Sequence, residues 1–317
     1  MLIWFSLASL AVAQVNRDKL AKMPNALFLA GWPPYKLSIS SNNRAMELQS
    51  DGGDWYITPS MSADGRIVAT AQRVPSEQPK SRPKLVVGTY SVETRKWTAY
   101  EELHIFGGSV AISPDGFRLA CTTSDSSGAV STLRILDLAS GRMTTGPDST
   151  QNAGSLSWSP DGRRLAFDLP VQQSRDGLLF TNFRSVYVLD VDSQALSKVA
   201  EGISPAWSPS GQWIAFYGYS PDSIHQKRMG DGIFETRGPD YRLSVIGPNG
   251  TKATILDSRK AVGNSSPVWS PDSKTILINQ FRDEGGGMDI YAVDVATRKR
   301  TKKFRNVQPV YAWVAAK

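Results

Sequence analysis

The sequence is poor in the residues from which disulfides, metal sites and nucleophilic sites are usually built. It contains one cysteine, Cys121, and two histidines, His104 and His225, among 317 residues. A disulfide within the chain is therefore excluded, and neither histidine stands in the paired spacing typical of a zinc site. No Gly-x-Ser-x-Gly segment offers a nucleophile elbow. These absences favour a binding protein and not an enzyme. We expect it to have no metal and no other cofactor.

Long hydrophobic runs are also missing, apart from one at the N-terminus. Residues 1–13, MLIWFSLASLAVA, are uncharged, but a bilayer span needs about 20 residues. The run ends in Ala11-Val12-Ala13, a cleavage-like pattern, although no basic residue precedes it. We predict a signal peptide over 1–13, a linker over 14–24, and no membrane span after signal removal. The expected location is periplasmic or otherwise extracytoplasmic. A buried strand or an uncleaved anchor is the alternative.

Glycine and proline, by contrast, are plentiful and recur in a repeated turn. The repeated segments are PSMSADGRIVATA (59–71), VAISPDGFRLACT (110–122), LSWSPDGRRLAFD (156–168), PAWSPSGQWIAFY (205–217) and PVWSPDSKTILIN (267–279). In such a turn proline presets the backbone, aspartate bonds to it, and glycine accepts a positive φ. Each segment therefore predicts a β-hairpin.

A second hairpin follows each of the first ones. Examples are LRILDLASGRMTT (133–145) and VYVLDVDSQALSKV (186–199), where an alternating strand, a polar turn and another strand succeed one another. Two hairpins give four antiparallel strands per repeat, and four-stranded repeats of this length are blades of a β-propeller. The sequence therefore predicts an all-β chain in which residues 25–317 form a single propeller domain.

Five repeats are complete, and the two ends of the chain supply the parts of a sixth. Residues 309–311 match the innermost strand of a blade, whereas residues 26–30 and 35–48 match the other three strands. We predict six four-stranded antiparallel blades, closed into a ring by a composite blade formed from both termini. Such closure leaves no open seam between the first and last blades.

The repeated Trp-Ser-Pro-Asp-Gly, followed by an Ile-Ala-Phe-like strand, resembles the WD40-like (PD40) repeat of the TolB family. The best matches are residues 158–162 and 269–272, and the resemblance covers residues 25–317. It implies a six-bladed propeller that is associated with the cell envelope and binds a protein. TolB-like proteins have an N-terminal α/β domain before the propeller. Because little more than the segment 14–24 precedes the first predicted strand, we expect that domain to be absent here.

The repeated carboxylates are interpreted as structural. Asp64, Asp115, Asp161 and Asp272 occupy the same turn position in four repeats, which favours a role in the turn. A propeller channel can collect acids into a metal site, as in lactonase-type propellers, but the sequence signatures of those enzymes are missing.

The connections between the second and third strands are expected to be the variable ones. They cover approximately 73–84, 124–131, 168–185, 218–240 and 281–288. Insertions in repeat proteins often lie on one binding face. The candidate partner-binding residues lie in the longest connection and are His225, Lys227, Arg228, Asp231, Phe234 and Glu235. The alternatives are a mobile insertion and, for His225, a solvated loop residue.

Basic residues cluster once, in TRKRTKKFR (297–305). Such a run can bind a polyanion, but lysine and arginine also protect the outer edge of a sheet from pairing. The segment maps to the last strand of the last full repeat, so we favour protection of the sheet edge as its role. With export expected, we predict no nucleic-acid partner.

These features together predict a monomeric, non-catalytic scaffold that binds a protein of unknown identity. Two alternatives stay open. The first is an enzyme with a lactonase-like or lyase-like site at the channel mouth. The second is a propeller related to those of prolyl-oligopeptidase-type peptidases, for which no hydrolase domain is expected because the chain ends at Lys317 on a closing strand.

Overall fold

The computed structural model describes most of the chain beyond the predicted linker. The described residues are 26–32, 36–41, 44–48, 55, 58–73, 85–105, 108–124, 130–175, 178–220, 223, 225–230, 233–237, 239–259, 265–281, 288–307 and 309–315. The predicted signal peptide, 1–13, and the linker, 14–24, lie outside these residues.

Nearly all regular structure in the described residues is β-strand. The strands are β1 (Ala26–Trp32), β2 (Lys36–Ser41), β3 (Arg44–Glu47), β4 (Ser60–Met61), β5 (Ile67–Arg73), β6 (Leu85–Ser91), β7 (Lys96–Ile105), β8 (Val110–Ile112), β9 (Arg118–Ser124), β10 (Ser131–Asp137), β11 (Met143–Thr145), β12 (Gly154–Trp158), β13 (Arg164–Arg175), β14 (Leu178–Asp190), β15 (Leu196–Trp207), β16 (Ile214–Gly218), β17 (His225–Gly230), β18 (Ile233–Arg237), β19 (Arg242–Ile246), β20 (Thr254–Ile255), β21 (Val268–Trp269), β22 (Thr275–Phe281), β23 (Met288–Asp294), β24 (Arg300–Val307) and β25 (Val310–Ala315). A short 3₁₀ helix spans Asp148–Thr150.

The strands form antiparallel four-stranded units, which confirms the all-β fold and the expected kind of sheet. Unit 1 has the order β25-β1-β2-β3, unit 2 is β4 to β7, unit 3 is β8 to β11, and unit 6 is β21 to β24. A seven-stranded sheet supplies the other two. Unit 4 contains β12 to β14 and the first half of β15, and unit 5 contains the second half of β15 with β16, β19 and β20. In unit 1 the last strand pairs with the first, and Ala26 stands opposite Ala315.

The repeated turn is held by one set of hydrogen bonds. In unit 4 the buried Ser159 hydroxyl donates to Asp161 Oδ1 at 2.5 Å and accepts from the Arg164 backbone N–H at 2.9 Å. Gly162 completes this turn at φ +66°. The same bonds join the serine and aspartate of units 2, 3 and 6, where the aspartates are Asp64, Asp115 and Asp272. Each of these four carboxylates therefore fastens its own hairpin.

Hydrogen bonds in the turns make the described fold sensitive to acid. They lower the pKa of five carboxyls, namely Asp137, Asp161, Asp190, Asp272 and Asp294. The Ser159 hydroxyl is the largest cause at Asp161, and the Ser270 hydroxyl is the largest at Asp272. A carboxyl whose folded pKa lies below its unfolded value of about 3.9 stabilises the fold above that pH. This contribution is lost as the pH falls through the folded pKa.

We therefore expect the free energy of unfolding, measured by urea titration, to change little between about pH 7 and pH 5 and to decline below about pH 4. A variant that combines S159A with D161N should decline less steeply, because it lacks one of the perturbed carboxyls. An acid decline of the same slope in this variant and in the parent protein would refute the assignment.

Neighbouring units are joined by the tryptophans of the repeat. Trp158 Nε1 of unit 4 donates to the Ala111 carbonyl of unit 3 at 3.1 Å, and Trp269 Nε1 of unit 6 donates to the Ala206 carbonyl of unit 5 at 2.9 Å. The Arg118 guanidinium lies 5.2 Å from the centre of the Trp158 ring. Trp158 and Trp269 thus link their own units to the preceding ones, whereas Trp207 Nε1 donates to the Gly211 carbonyl of its own turn at 3.3 Å.

The structure corrects one predicted loop and places the single cysteine. The described residues of the predicted loop 168–185 belong to strands: β13 continues to Arg175 and β14 begins at Leu178, with Gln173 opposite Phe180. The intervening Asp176-Gly177 is a strong hairpin signal that also fits this arrangement. Cys121 is fully buried in β9, as expected, and burial raises the pKa of its thiol to about 12.

Candidate functional site

The inner strands of all six units line one cavity of about 530 Å³. Its wall contains residues of β4, β8, β12, the second half of β15, β21 and β25. At the end near the repeated turns, the lining includes Pro114, Pro160, Pro209 and Pro271. At the other end it includes small residues such as Ser109 and Ser155. None of the described lining residues is charged, so the cavity presents a neutral, largely apolar surface.

Hydroxyl groups of the channel wall tie the inner strands together. Ser60 Oγ accepts from the Ile112 N–H at 2.9 Å, and Ser109 Oγ accepts from the Leu156 N–H at 3.0 Å. Ser157 Oγ accepts from the Trp207 N–H at 2.9 Å. These hydroxyls connect successive units from 2 to 5. Hydrogen bonds thus join the strands of the cavity wall, and these three serines have structural partners.

A buried ion pair lies at the opposite face from the repeated turns, between units 4 and 5. Asp168, 3% exposed, accepts from Arg184 Nε and, at 2.8 Å, from the Ser204 backbone N–H. Arg184 also donates to the carbonyls of Asn152 and Asp168. Because β13, β14 and β15 all contribute, the pair locks the end of unit 4 to the inner strand of unit 5. Ser204 adopts a left-handed φ of +56° at this point.

Three aromatic rings cover this ion pair. The centre of the Tyr219 ring lies 5.6 Å from that of Phe183 and 5.5 Å from that of Tyr241. The Tyr219 hydroxyl donates to the Arg184 carbonyl at 3.3 Å. Burial is the main cause that raises the pKa of both tyrosines, and at Tyr241 the charge of Asp168 adds to it. The residues Asp168, Arg184, Phe183, Tyr219 and Tyr241 are hereafter the interblade base.

Two long hairpins rise from the interblade base. One consists of β13 and β14, and the other, β17 with β18, is inserted between β16 and β19. Each second strand runs away from its repeated turn, so both hairpins emerge on the same face. Tyr219 and Tyr241 stand just before and just after the inserted hairpin, so their contact fixes both of its ends on unit 4.

The inserted hairpin contains most of the predicted partner-binding residues. His225, Lys227 and Arg228 lie on β17, whereas Phe234 and Glu235 lie on β18. The register places Lys227 opposite Glu235 and Arg228 opposite Phe234. Asp231 lies outside the described residues, as do the side chains of the other five. The described part of the expected loop is thus a pair of strands, and the other five residues lie on one strand or the other.

Sequence reasoning did not single out the interblade base. One signal was available for Asp168, because the ninth residue after the repeat serine is Ala71, Thr122, Tyr217 and Asn279 in the other units. A carboxylate at that position departs from its equivalents. Tyr219 and Tyr241 are 22 residues apart in the sequence, and only the hairpin between them shows why they meet.

The described residues contain neither a metal-binding cluster nor a membrane-spanning helix. Among these residues, no group of three or more histidines, cysteines or acids could hold a metal ion. Within the same residues, no helix is both long and apolar enough to cross a bilayer.

Comparison with known proteins supports the TolB resemblance. No protein-family model matches the chain. The Tol-Pal system protein TolB of Hahella chejuensis is 27% identical over 178 residues, which is 52% of this chain and 40% of that protein. The uncharacterized peptidase YuxL of Bacillus subtilis is 25% identical over 196 residues, 53% of this chain and 28% of that protein. Each match thus spans less than half the length of the relative.

Solved structures share the fold at low sequence identity. TolB from Acinetobacter baumannii superposes with a TM-score of 0.60 at 16% identity, covering 91% of this chain and 66% of that one. An oligogalacturonate lyase from Vibrio parahaemolyticus gives a TM-score of 0.57 at 12% identity, covering 86% and 76%. The sheets and these neighbours define the chain as a β-propeller protein.

Within that class the chain is similar to TolB in part of its sequence and in its fold. Because the propeller neighbours include an oligogalacturonate lyase, the fold is shared by proteins with different roles. The function of this chain is therefore argued from its own residues.

Proposed function

We propose that this chain is an exported, non-catalytic scaffold that binds a protein partner on the face carrying the two long hairpins. The observation that carries the proposal is the interblade base, from which both hairpins rise. Binding residues are commonly found on segments held by a rigid scaffold. Here the Asp168–Arg184 pair and the Tyr219–Tyr241 contact supply that rigidity.

The proposal includes a closed ring of six blades with a composite blade. Two observations support it. Inner strands of six units line a single cavity, and β25 pairs with β1 in unit 1. In a closed ring every inner strand faces the common channel, and no sheet seam is left open between the ends of the chain.

Binding, as opposed to catalysis, is supported by the chemistry of the two faces. The described channel lining is neutral, with proline at one end and small residues at the other. The carboxylates nearest to it, such as Asp115 and Asp161, are engaged in their own turns. The acid of the hairpin face, Asp168, is paired with Arg184 and with a backbone N–H. The proposed surface offers contact area and a fixed shape.

The proposed partner is a protein of the cell envelope, and the chain itself is proposed to be exported and monomeric. The support is the TolB-like propeller together with the apolar, cleavage-like segment 1–13. We expect the protein to fractionate outside the cytoplasm, with a mature N-terminus at Gln14. Full-length protein found only in the cytoplasm would contradict this part of the proposal.

The binding face can be tested by shortening the inserted hairpin. A variant in which residues 224–238 are replaced by a Gly-Ser turn keeps Tyr219 and Tyr241 and therefore keeps the interblade base. Purified parent and variant, each with a photo-crosslinker at an exposed position of the β13–β14 hairpin, are incubated with envelope extract. We expect the parent to capture a defined protein and the variant to capture at least tenfold less at equal folded concentration.

The matched control alters the opposite face. Phe117 is a large apolar residue, 62% exposed, next to the repeated turn of unit 3. The F117S variant should capture the same protein as the parent. Equal capture by the hairpin variant would exclude a role of the inserted hairpin, and a loss with F117S alone would move the site to the turn face. A stoichiometric divalent metal in the purified protein would instead favour the enzymatic alternative.

A further inference from the structure

The outermost strand of unit 6, β24, carries charge of a single sign. Residues 298–305 contain six basic and no acidic side chains, whereas the net charge of the whole chain is +7. In the order β21-β22-β23-β24 this strand forms the outer edge of its sheet. Much of the positive excess of the chain is therefore concentrated on one part of the propeller rim.

Two of these six cations form ion pairs with buried aspartates. Arg300 Nη1 donates to Asp257 Oδ2 at 2.6 Å, and its guanidinium lies 3.8 Å from the centre of the Tyr291 ring. Lys302 Nζ donates to Asp289 Oδ2 at 2.6 Å. These contacts attach the strand to β23 and to the segment after β20. These contacts indicate a structural role for Arg300 and Lys302.

Four cations are left on the surface, namely Arg298, Lys299, Lys303 and Arg305. None of them forms an ion pair within the part of the chain that the structure describes. Lys303 and Arg305 lie on β24, whereas Arg298, at φ +58°, and Lys299 lie in the connection between β23 and β24. These four residues, hereafter the cationic line, form a row and not a pocket.

The backbone of β24 is a poor template for an added strand. Tyr291 pairs with Lys302 and Ile290 pairs with Phe304, so Lys303 is the extra residue of a bulge. Bulges and lysines on an edge both discourage pairing with another strand. Phe304 is partly buried against the core cluster between units 6 and 1 and so is not presented for stacking with a base. Recognition at this edge would therefore depend on charged side chains.

We propose that the cationic line is a docking surface for an extended acidic polypeptide segment. Guanidinium groups bind carboxylates through paired hydrogen bonds, and ammonium groups bind them as point charges. Acidic side chains at alternate positions of an extended peptide recur about every 6.6–6.8 Å. Such a segment can place two carboxylates along the same edge as Lys303 and Arg305, which are exposed and two positions apart in the sequence. The site lies on the rim and does not depend on the hairpin face.

The test uses the whole protein and a fluorescein-labelled peptide of twelve residues that alternates glutamate and serine. Binding is followed by fluorescence anisotropy at low salt. We expect the double variant K303E/R305E to bind about tenfold more weakly, because two exposed ion pairs are lost and replaced by repulsion. Binding by the parent protein should also weaken as salt is added, since exposed charges are screened.

The matched control reverses two exposed arginines of the turn face, Arg142 and Arg163. The variant R142E/R163E changes the net charge by the same amount and should keep parental affinity. An equal loss in both variants would show that only net charge matters and would overturn the proposal. So would a parent protein that binds heparin or anionic phospholipid vesicles but not the peptide.

The neutral variant K303Q/R305Q distinguishes peptide docking from a role that only protects the sheet edge. Edge protection alone predicts that this variant self-associates in sedimentation velocity while its peptide affinity stays at the parental level, and that outcome would overturn the proposal. We expect the opposite, namely a severalfold loss of peptide affinity. Far-UV circular dichroism checks that all variants are folded.

Discussion

Replacement of Asp168 by alanine is expected to lower the free energy of unfolding by about 3 kcal/mol. The carboxylate is almost fully buried and accepts from both Arg184 and the Ser204 backbone N–H. Removing it leaves a guanidinium without its counter-ion and a buried donor without an acceptor. We place the loss at the low end of the range for broken buried pairs because the Arg184 side chain is 30% exposed and can gain water.

The measurement is equilibrium unfolding in urea, with three controls. D192A removes an exposed aspartate and should change the free energy of unfolding by no more than about 0.5 kcal/mol. D168N keeps an acceptor for Ser204 but loses the charge, so its stability should be intermediate. The double variant D168L/R184M should recover part of the loss, since replacing both partners removes the unpaired charge. If D168A is as stable as D192A, the ion pair does not hold the interblade base.

The same substitution connects the fold to the proposed function. Asp168 and Arg184 lie beneath Tyr219 and Tyr241, which fix the ends of the inserted hairpin. Loss of the pair should therefore loosen the hairpin before it unfolds the propeller. Faster amide exchange at Tyr219 and Arg242, with unchanged exchange in unit 3, would show this order of events.

The repeat explains why the architecture was predictable from the sequence. Where the serine, aspartate and glycine are all present, as in unit 4, they close the first hairpin by local hydrogen bonds, and Trp158 and Trp269 reach the preceding unit. Both functions are encoded within a few consecutive residues, so the pattern specifies them in the copies that keep those residues. The pairing of β25 with β1 was also predictable from the sequence, because each end of the chain matches a known part of the repeat.

The candidate site was less predictable because it depends on residues that break the repeat. The role of Asp168 depends on its interactions with Arg184, Ser204 and Tyr241, which belong to three other strands or connections. The strands β13 and β14 extend beyond the repeat, and β17 with β18 has no equivalent among the described residues of the other units. Only the three-dimensional contacts show that these departures meet at one place.

Asn279 occupies the repeat position of Asp168 in unit 6, and the N279L variant is expected to lose about 3 kcal/mol of stability. Asn279 Nδ2 donates to the Val310 carbonyl at 2.8 Å, and the Val310 N–H donates to Asn279 Oδ1 at 2.9 Å. Both residues are buried. Leucine has a similar size but leaves two backbone groups of β25 without partners, and each such group costs about 1–3 kcal/mol.

The control for this prediction is T122V, which alters the same repeat position in unit 3. Thr122 Oγ1 accepts one bond, from the Ser109 N–H at 3.1 Å, so the expected loss is about 1 kcal/mol. Because Asn279 holds the last strand, N279L should also speed amide exchange in β25 and in its partner β1, whereas T122V should affect β8 alone. Equal losses in the two variants, with unchanged exchange in β1, would mean that the pair Asn279–Val310 does not secure the sheet formed by the two ends of the chain.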